Sequence, residues 1–189
     1  MNVTEIRVVD CVPFENYPFK IQDNSDMEML IDSIKESGVL IPIVVRPKGK
    51  EYEILSGHRR IYACKMAGID KVPAIIRELS RDEAVIFMVD SNLHREGLLP
   101  SEKGFAYKMK LEAMKHQGRT SDQVGQKLTS VQALADSSSD SKTQVQRYIR
   151  LTFLEKPLLD LVDEGRIALT RAGELSYLLP EEQSDLIET

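Results

Sequence analysis

Glu53 to Arg60 reads E-I-L-S-G-H-R-R. A short apolar run ends at Leu55, Ser56 and Gly57 turn the chain, and Arg59 and Arg60 open a helical segment. A strand that feeds a helix through a glycine turn implies a fold that layers helix on sheet. It also places unpaired backbone N–H groups, the positive end of the helix dipole and two guanidinium groups together, an arrangement suited to phosphate. A second polar segment, S-N-L-H-R-E at 91–96, answers it.

The elements around this turn follow from pattern. Ile6–Val9 is expected as a strand, with the aromatic and Pro-rich stretch 13–19 as loop. Ser25 and Glu28 have capping-box spacing. Met27, Leu30, Ile31 and Ile34 follow at helical period, and Gly38 suits the stop. Residues 41–46, 52–55 and 72–77 read as strands, Pro73 lying near the start of the last, and 59–67 as a helix closed by Gly68. Ser80 and Glu83 form a second capping box opening a helix to about Val89, with S-N-L-H-R-E as loop or helix start. Pro100 and Ser101 begin a longer helix with Phe105, Met109 and Ala113 on one side.

After Gln117 no strand pattern recurs. Helices are expected at 131–136, 142–151 (capped by Ser141), after Pro157, from Thr170 to Leu178, and from Pro180 to the last residue. The fold class is therefore α+β: a small mixed-sheet domain over 1–100, then an all-α domain over 101–189.

Two short helices about a polar turn near 130–151 have helix-turn-helix spacing. Ala135 and Val145 would pack between them, and Ser139 stands where such turns often place glycine. Lys142, Thr143, Gln144, Gln146 and Arg147 would face outward; Gln144 and Arg147 suit base edges, and Ser141, Lys142 and Thr143 suit the backbone. Charge supports this placement. The formal net charge is −5, yet residues 103–150 hold nine Lys/Arg against four Asp/Glu, and residues 151–189 hold three against nine. A basic block inside an acidic chain fits a polyanion. Cys11 and Cys64 form no metal or disulfide pattern, and no apolar run is long enough to span a membrane, so a cytoplasmic protein is expected.

Five segments in order, D-S-I-K-E-S-G-V-L-I-P-I-V-V-R-P, S-G-H-R-R-I-Y-A, A-G-I-D-K-V-P-A-I-I-R, N-L-H-R-E-G-L-L-P-S-E-K and V-Q-R-Y-I-R-L, resemble the ParB/RepB family of partition proteins from about Met27 to Leu178. The resemblance implies a ParB/sulfiredoxin-like first domain that binds CTP with Mg2+. It implies a second domain that binds a parS-type site in double-stranded DNA, with nucleotide closing a dimeric clamp that works with a ParA-type ATPase. By the family's motifs, Gly38 to Arg46 faces the base. Ser56, Gly57, His58, Arg59 and Arg60 form the phosphate turn. Asn92, Arg95 and Glu96 belong to the second phosphate segment, with Asn92 as metal ligand. Nucleoid or plasmid association is implied likewise.

Relatives commonly carry glutamate where this chain has His58 and Ser91. Serine is a poor base, so hydrolysis that is slow, altered in base preference or absent is expected, and the departures suggest a mobile-element branch. Relatives also carry a dimerisation domain after a linker, so this chain is expected to be part of a longer protein. Two other functions fit parts of the pattern: a helix-turn-helix regulator without nucleotide, and a small-molecule kinase on the first fold, with Glu96 as its candidate base.

Overall fold

The computed structural model describes residues 2–120 and 130–187. The chain divides into two compact units, Met1–Ser91 and Asn92–Thr189.

The first unit is built on a five-stranded mixed sheet: β1 (Val3–Arg7), β2 (Cys11–Val12), β3 (Ile43–Lys48), β4 (Glu51–Ser56) and β5 (Lys71–Ile76). The spatial order is β1-β5-β3-β4-β2. β3 and β4 form an antiparallel hairpin, β5 runs parallel to β3, and β1 closes antiparallel on β5. Pro73 sits inside this sheet. Arg77 N–H donates to the Val45 carbonyl, and the ladder's alternation then turns the Pro73 nitrogen toward β3, before the first paired residue there, Ile43. No ladder bond is lost.

The strand expected over 6–9 ends earlier. Val8–Asp10 is a short 3-10 turn, closed by the Arg7 guanidinium on the Asp10 carboxylate at 2.7 and 2.8 Å. Helix α1 (Ser25–Ser37) buries Met27 and Ile34, with Leu30 and Ile31 beside them. Its cap is Asn24, whose side chain accepts from Met27 N–H, so Ser25 is already inside the helix rather than its cap. Asn24 has the extended backbone that an N-cap needs. Helix α2 (His58–Ala67) buries Ile61, Ala63 and Cys64. Helix α3 (Arg81–Leu93) starts from the Ser80–Glu83 box, whose two reciprocal bonds are present. It runs past Val89, because no glycine or proline interrupts it before Gly97. Ser91-Asn92-Leu93 is therefore its last turn and not a loop.

The second unit is helical: α4 (Pro100–Thr120), α5 (Ser130–Asp136), α6 (Lys142–Leu151), α7 (Lys156–Asp163), α8 (Leu169–Leu175) and α9 (Pro180–Asp185). α4 is the frame. Its buried face is Ala106, Tyr107, Lys110 and Ala113, whereas Phe105, which helical period groups with Met109 and Ala113, is exposed. Gly104 lies on the buried side instead. A Cβ there would stand 2.5 Å from the Tyr148 carbonyl oxygen, so the glycine lets α6 cross α4 closely. Ser101 N–H and Oγ both donate to Asp163, tying the start of α4 to α7. α8 begins after Ala168 and ends at Leu175, so Thr170 is inside it and not its cap. α9 ends at Asp185, short of the expected run to the terminus. No helix among the described residues is long and apolar enough to cross a membrane.

Candidate nucleotide and nucleic-acid sites

In the first unit, Gly57 joins β4 to α2 with φ 109° and ψ 20°, a left-handed geometry. Glycine is required there twice over, because an added Cβ would lie 2.5 Å from Ile43 Cγ2 as well as in a strained backbone. Gly57 offers no side-chain cap, and no acidic residue occupies the first turn of α2. The helix start therefore retains its N–H groups and dipole with no carboxylate in its own first turn. At this turn the Arg59 guanidinium has a buried Nε without a partner among the described residues.

Arg60 is differently placed. Its Nη1 donates to the carbonyls of Ile41 and Pro42, the latter at 2.8 Å. Burial depresses its pKa from the usual guanidinium value. The side chain thus pins the α1–β3 connection to α2. Beside it runs an apolar groove of about 200 Å³ lined by Leu30, Ile34, Gly38, Val39, Leu40 and Ile41. The structure brings Gly38 and Arg60 to one groove, with Gly38 at φ 68° ending α1. Ser56 is the half-buried last residue of β4.

Arg46, expected to face nucleotide, is committed to the fold. Its Nε donates to the fully buried Glu53 at 2.7 Å and its Nη1 to the Leu79 carbonyl. Lys48 and Arg81 also reach Glu53, at 3.0 and 3.4 Å, and the Glu15 N–H donates to it. Burial alone would raise the Glu53 carboxyl; the Arg46 and Lys48 hydrogen bonds bring it below the ordinary carboxylate value. Sequence reasoning missed this cluster, since a glutamate in a short strand announces nothing until three cations converge on it.

His58 lies inside, 5 % exposed. Its ring stacks on Tyr17 with centroids 3.6 Å apart and 16° between planes, and its Nε2 accepts from Phe14 N–H at 3.4 Å. The aromatic loop 13–19 is thereby fastened over the start of α2. Burial lowers the imidazole pKa to about 4 despite the opposing charge of Glu53, so His58 is neutral near pH 7.

Asn92, Arg95 and Glu96 belong to the second unit. The Asn92 carbonyl accepts from Arg95 N–H at 3.0 Å as α3 ends, and Gly97 at φ 71° turns the chain away. Ser91 Oγ donates to the Met88 carbonyl. Among the described residues no group of three or more His, Cys, Asp or Glu could hold a metal ion.

Also in the second unit, α5 and α6 form the expected two-helix motif, with Leu134, Ala135 and Val145 buried between them and Tyr107. Its turn has no left-handed residue, the sole positive-φ non-glycine among the described residues being Asn16. Serine hydroxyls replace the glycine: Ser137 donates to the Leu134 carbonyl, Ser138 to that of Ala135, and Asp140 N–H donates to Ser138 Oγ. α4 holds the turn, through Tyr107 OH and Lys103 Nζ on the Asp140 carboxylate at 2.7 and 3.0 Å and Lys110 Nζ on Ser137 Oγ. Burial first, and Asp140 with it, keep the Tyr107 phenol protonated far above its usual pKa.

The start of α6 is closed by its own box. Gln144 N–H donates to Ser141 Oγ, and Ser141 N–H to Gln144 Oε1 at 2.9 Å. Two of the six residues expected at DNA are thus occupied locally. Lys142 is exposed, and Thr143, Gln146 and Arg147 line a groove of about 240 Å³ with Arg150, Thr170, Glu174 and Tyr177. The α8 residues were not expected there. Arg150 is anchored by Ser176 and lies 3.7 Å over the Tyr177 ring.

Residues 1–93 match the model of the ParB N-terminal domain. The Chromosome-partitioning protein Spo0J of Thermus thermophilus is 31 % identical over 181 residues, covering 96 % of this chain and 62 % of that protein. The Stage 0 sporulation protein J of Bacillus subtilis is 34 % identical over 167 residues, covering 88 % and 55 %. The chain thus spans little more than half the length of these relatives. Among solved structures, the C-terminally truncated chromosome-partitioning protein ParB of Caulobacter crescentus, complexed to the centromeric parS site, superposes with a TM-score of 0.60 at 23 % identity, covering 98 % of this chain and 91 % of that one. The fold is thus that of a ParB N-terminal domain followed by a helical unit. Residues 1–93 therefore belong to the ParB N-terminal domain family, and the chain is similar over most of its own length to chromosome-partitioning proteins.

Proposed function

We propose that this chain is a DNA-binding partition protein in which CTP binds at the start of α2 and a parS-type duplex binds at α6. The observation that carries the nucleotide half is the uncapped start of α2, where Gly57 admits close backbone approach and Arg59 keeps a buried Nε with no partner among the described residues. Triphosphate oxygens supply the acceptors that this turn lacks. The apolar groove beside Arg60 suits the base, and the cytidine preference is carried over from the family resemblance. For DNA, the exposed face of Lys142, Thr143 and Gln146, with Arg147, supplies phosphate contacts and base-edge donors. The Thermus and Bacillus relatives are named for chromosome partitioning and sporulation, and the Caulobacter structure holds parS.

Magnesium would arrive with the triphosphate, and Asn92 is the chain's candidate ligand; the metal would neutralise phosphate charge. Hydrolysis is expected to be slow. Position 58 carries a buried neutral imidazole, and Ser91 spends its hydroxyl proton on a helix carbonyl. Self-association as a dimer and a ParA-type ATPase partner belong to the same proposal. A nucleotide-free regulator is the second reading, favoured by one observation: Arg60 is already bound to two backbone carbonyls. Titration of CTP, ATP and GTP with and without parS-like DNA separates the two. Preferential CTP binding supports the first reading, and absence of binding by all three leaves the second.

A further inference from the structure

We propose that His58 donates its Nδ1 proton to the anion bound at the start of α2, a direct contact in which no divalent cation stands between residue 58 and the phosphate. The inference rests on the phosphate reading of that turn and adds a donor to it.

The two ring nitrogens are distinguishable. Nε2 faces Phe14 N–H and accepts from it, so Nε2 carries no proton. A neutral imidazole then holds its single proton on Nδ1. The ring packs face to face on Tyr17, and the Phe14 N–H fixes Nε2 as its acceptor. Nδ1 is buried, and no described group accepts from it.

Such an orphaned donor is costly unless something satisfies it. Nδ1 is bonded to the ring carbon that carries Cβ, so it stays near the backbone of residue 58, the first residue of α2. The neighbouring Arg59 Nε is buried and unpartnered as well. Two adjacent side chains thus hold unused donors at a helix start with no cap and no acid in its first turn. An anion with several oxygens satisfies all of them together.

A carboxylate at position 58 could only accept, and would meet a phosphate through a bridging cation. Histidine on the Nδ1–H tautomer meets it directly. The backbone of the helix start, Arg59 Nε and His58 Nδ1 then form one donor set, whose two side-chain members have no partner among the described residues.

The test uses the amide side chains that imitate each nitrogen separately. His58→Gln can keep an acceptor near Nε2 and loses the Nδ1 donor; His58→Asn keeps a donor near Nδ1 and loses the Nε2 acceptor. CTP binding to the whole chain is measured calorimetrically with EDTA present, beside Arg59→Ala, and the His58 ring Nδ1–H is followed by NMR during the titration. We expect His58→Gln to bind about tenfold more weakly and His58→Asn within about threefold of the parent, by the usual worth of a hydrogen bond to a charged group. The Nδ1–H resonance should move as CTP is added. His58→Gln binding as tightly as the parent, with Arg59→Ala impaired, overturns the histidine contact and leaves the phosphate site standing. A parent chain that binds no CTP even with Mg2+ supplied in place of EDTA overturns both; where the parent binds only with Mg2+, the same variants are compared there. Where His58→Gln fails to fold, the NMR titration decides alone, and a stationary Nδ1–H resonance overturns the contact.

Discussion

The starts of α2 and α6 both follow a tight turn and both stand where a polyanion is expected, yet they are finished differently. At α6 the chain closes its own helix: Ser141 and Gln144 satisfy each other's backbone N–H groups. At α2 the chain leaves the helix open, with glycine in the capping position and unpartnered side-chain donors beside it. A capped helix start can still present a face to a groove of DNA, because recognition there uses side chains along the helix. An open start is suited to a compact anion that acts as the cap itself. In the proposed function, phosphate binding therefore falls to the start of α2 and duplex binding to the side of α6.

The largest expected effect breaks the open turn. Gly57→Ala should cost about 3 kcal/mol of unfolding free energy, since it combines a left-handed backbone with a 2.5 Å approach to Ile43. Chemical denaturation measures it, and a cost below about 1 kcal/mol would mean that the turn relaxes without consequence. Of similar size is the acid sensitivity of His58. Its folded pKa, about 4, lies below the ordinary 6.5, so the unfolded chain takes up the proton first. Its contribution is complete above pH 6.5 and declines as pH falls from there to 4, by up to about 3 kcal/mol. His58→Gln should flatten the stability profile in that window. Glu53 also faces this region. Its carboxyl is lowered, so its contribution disappears only below the ordinary carboxylate range as pH falls through the depressed value. Smaller is the capped start: Ser141→Ala should cost about 1 kcal/mol, read as a drop in Tm. It should weaken DNA binding only modestly, since Ser141 is spent on the helix.

What could be read beforehand follows the same contrast. The strand–turn–helix at 53–60, the α6 boundaries and the Ser80 box depend on short-range pattern, and the structure contains them. Three kinds of feature depended on distant partners. Arg46 looked available from sequence, and Glu53, seven residues on, takes it. Arg60 looked equivalent to Arg59, but carbonyls eighteen and nineteen residues earlier hold it. Phe105 keeps helical period with Met109 and Ala113, and of the three only Ala113 is buried; α6 crosses closely at Gly104, and the buried stripe runs through Ala106 and Tyr107. The groove shared by α6 and α8 was likewise out of reach, because nothing in G-E-L-S-Y marks Tyr177 as a neighbour of Arg147.

The central claim is that two separate polyanion sites lie at two helices. It is tested most directly by titrating Arg59→Ala and Arg147→Ala with CTP and, separately, with parS-like duplex. Arg59→Ala should lose at least about tenfold in CTP affinity and keep DNA binding; Arg147→Ala should do the reverse, as expected for loss of a charge-assisted contact. Equal weakening of both ligands by both variants would contradict the assignment.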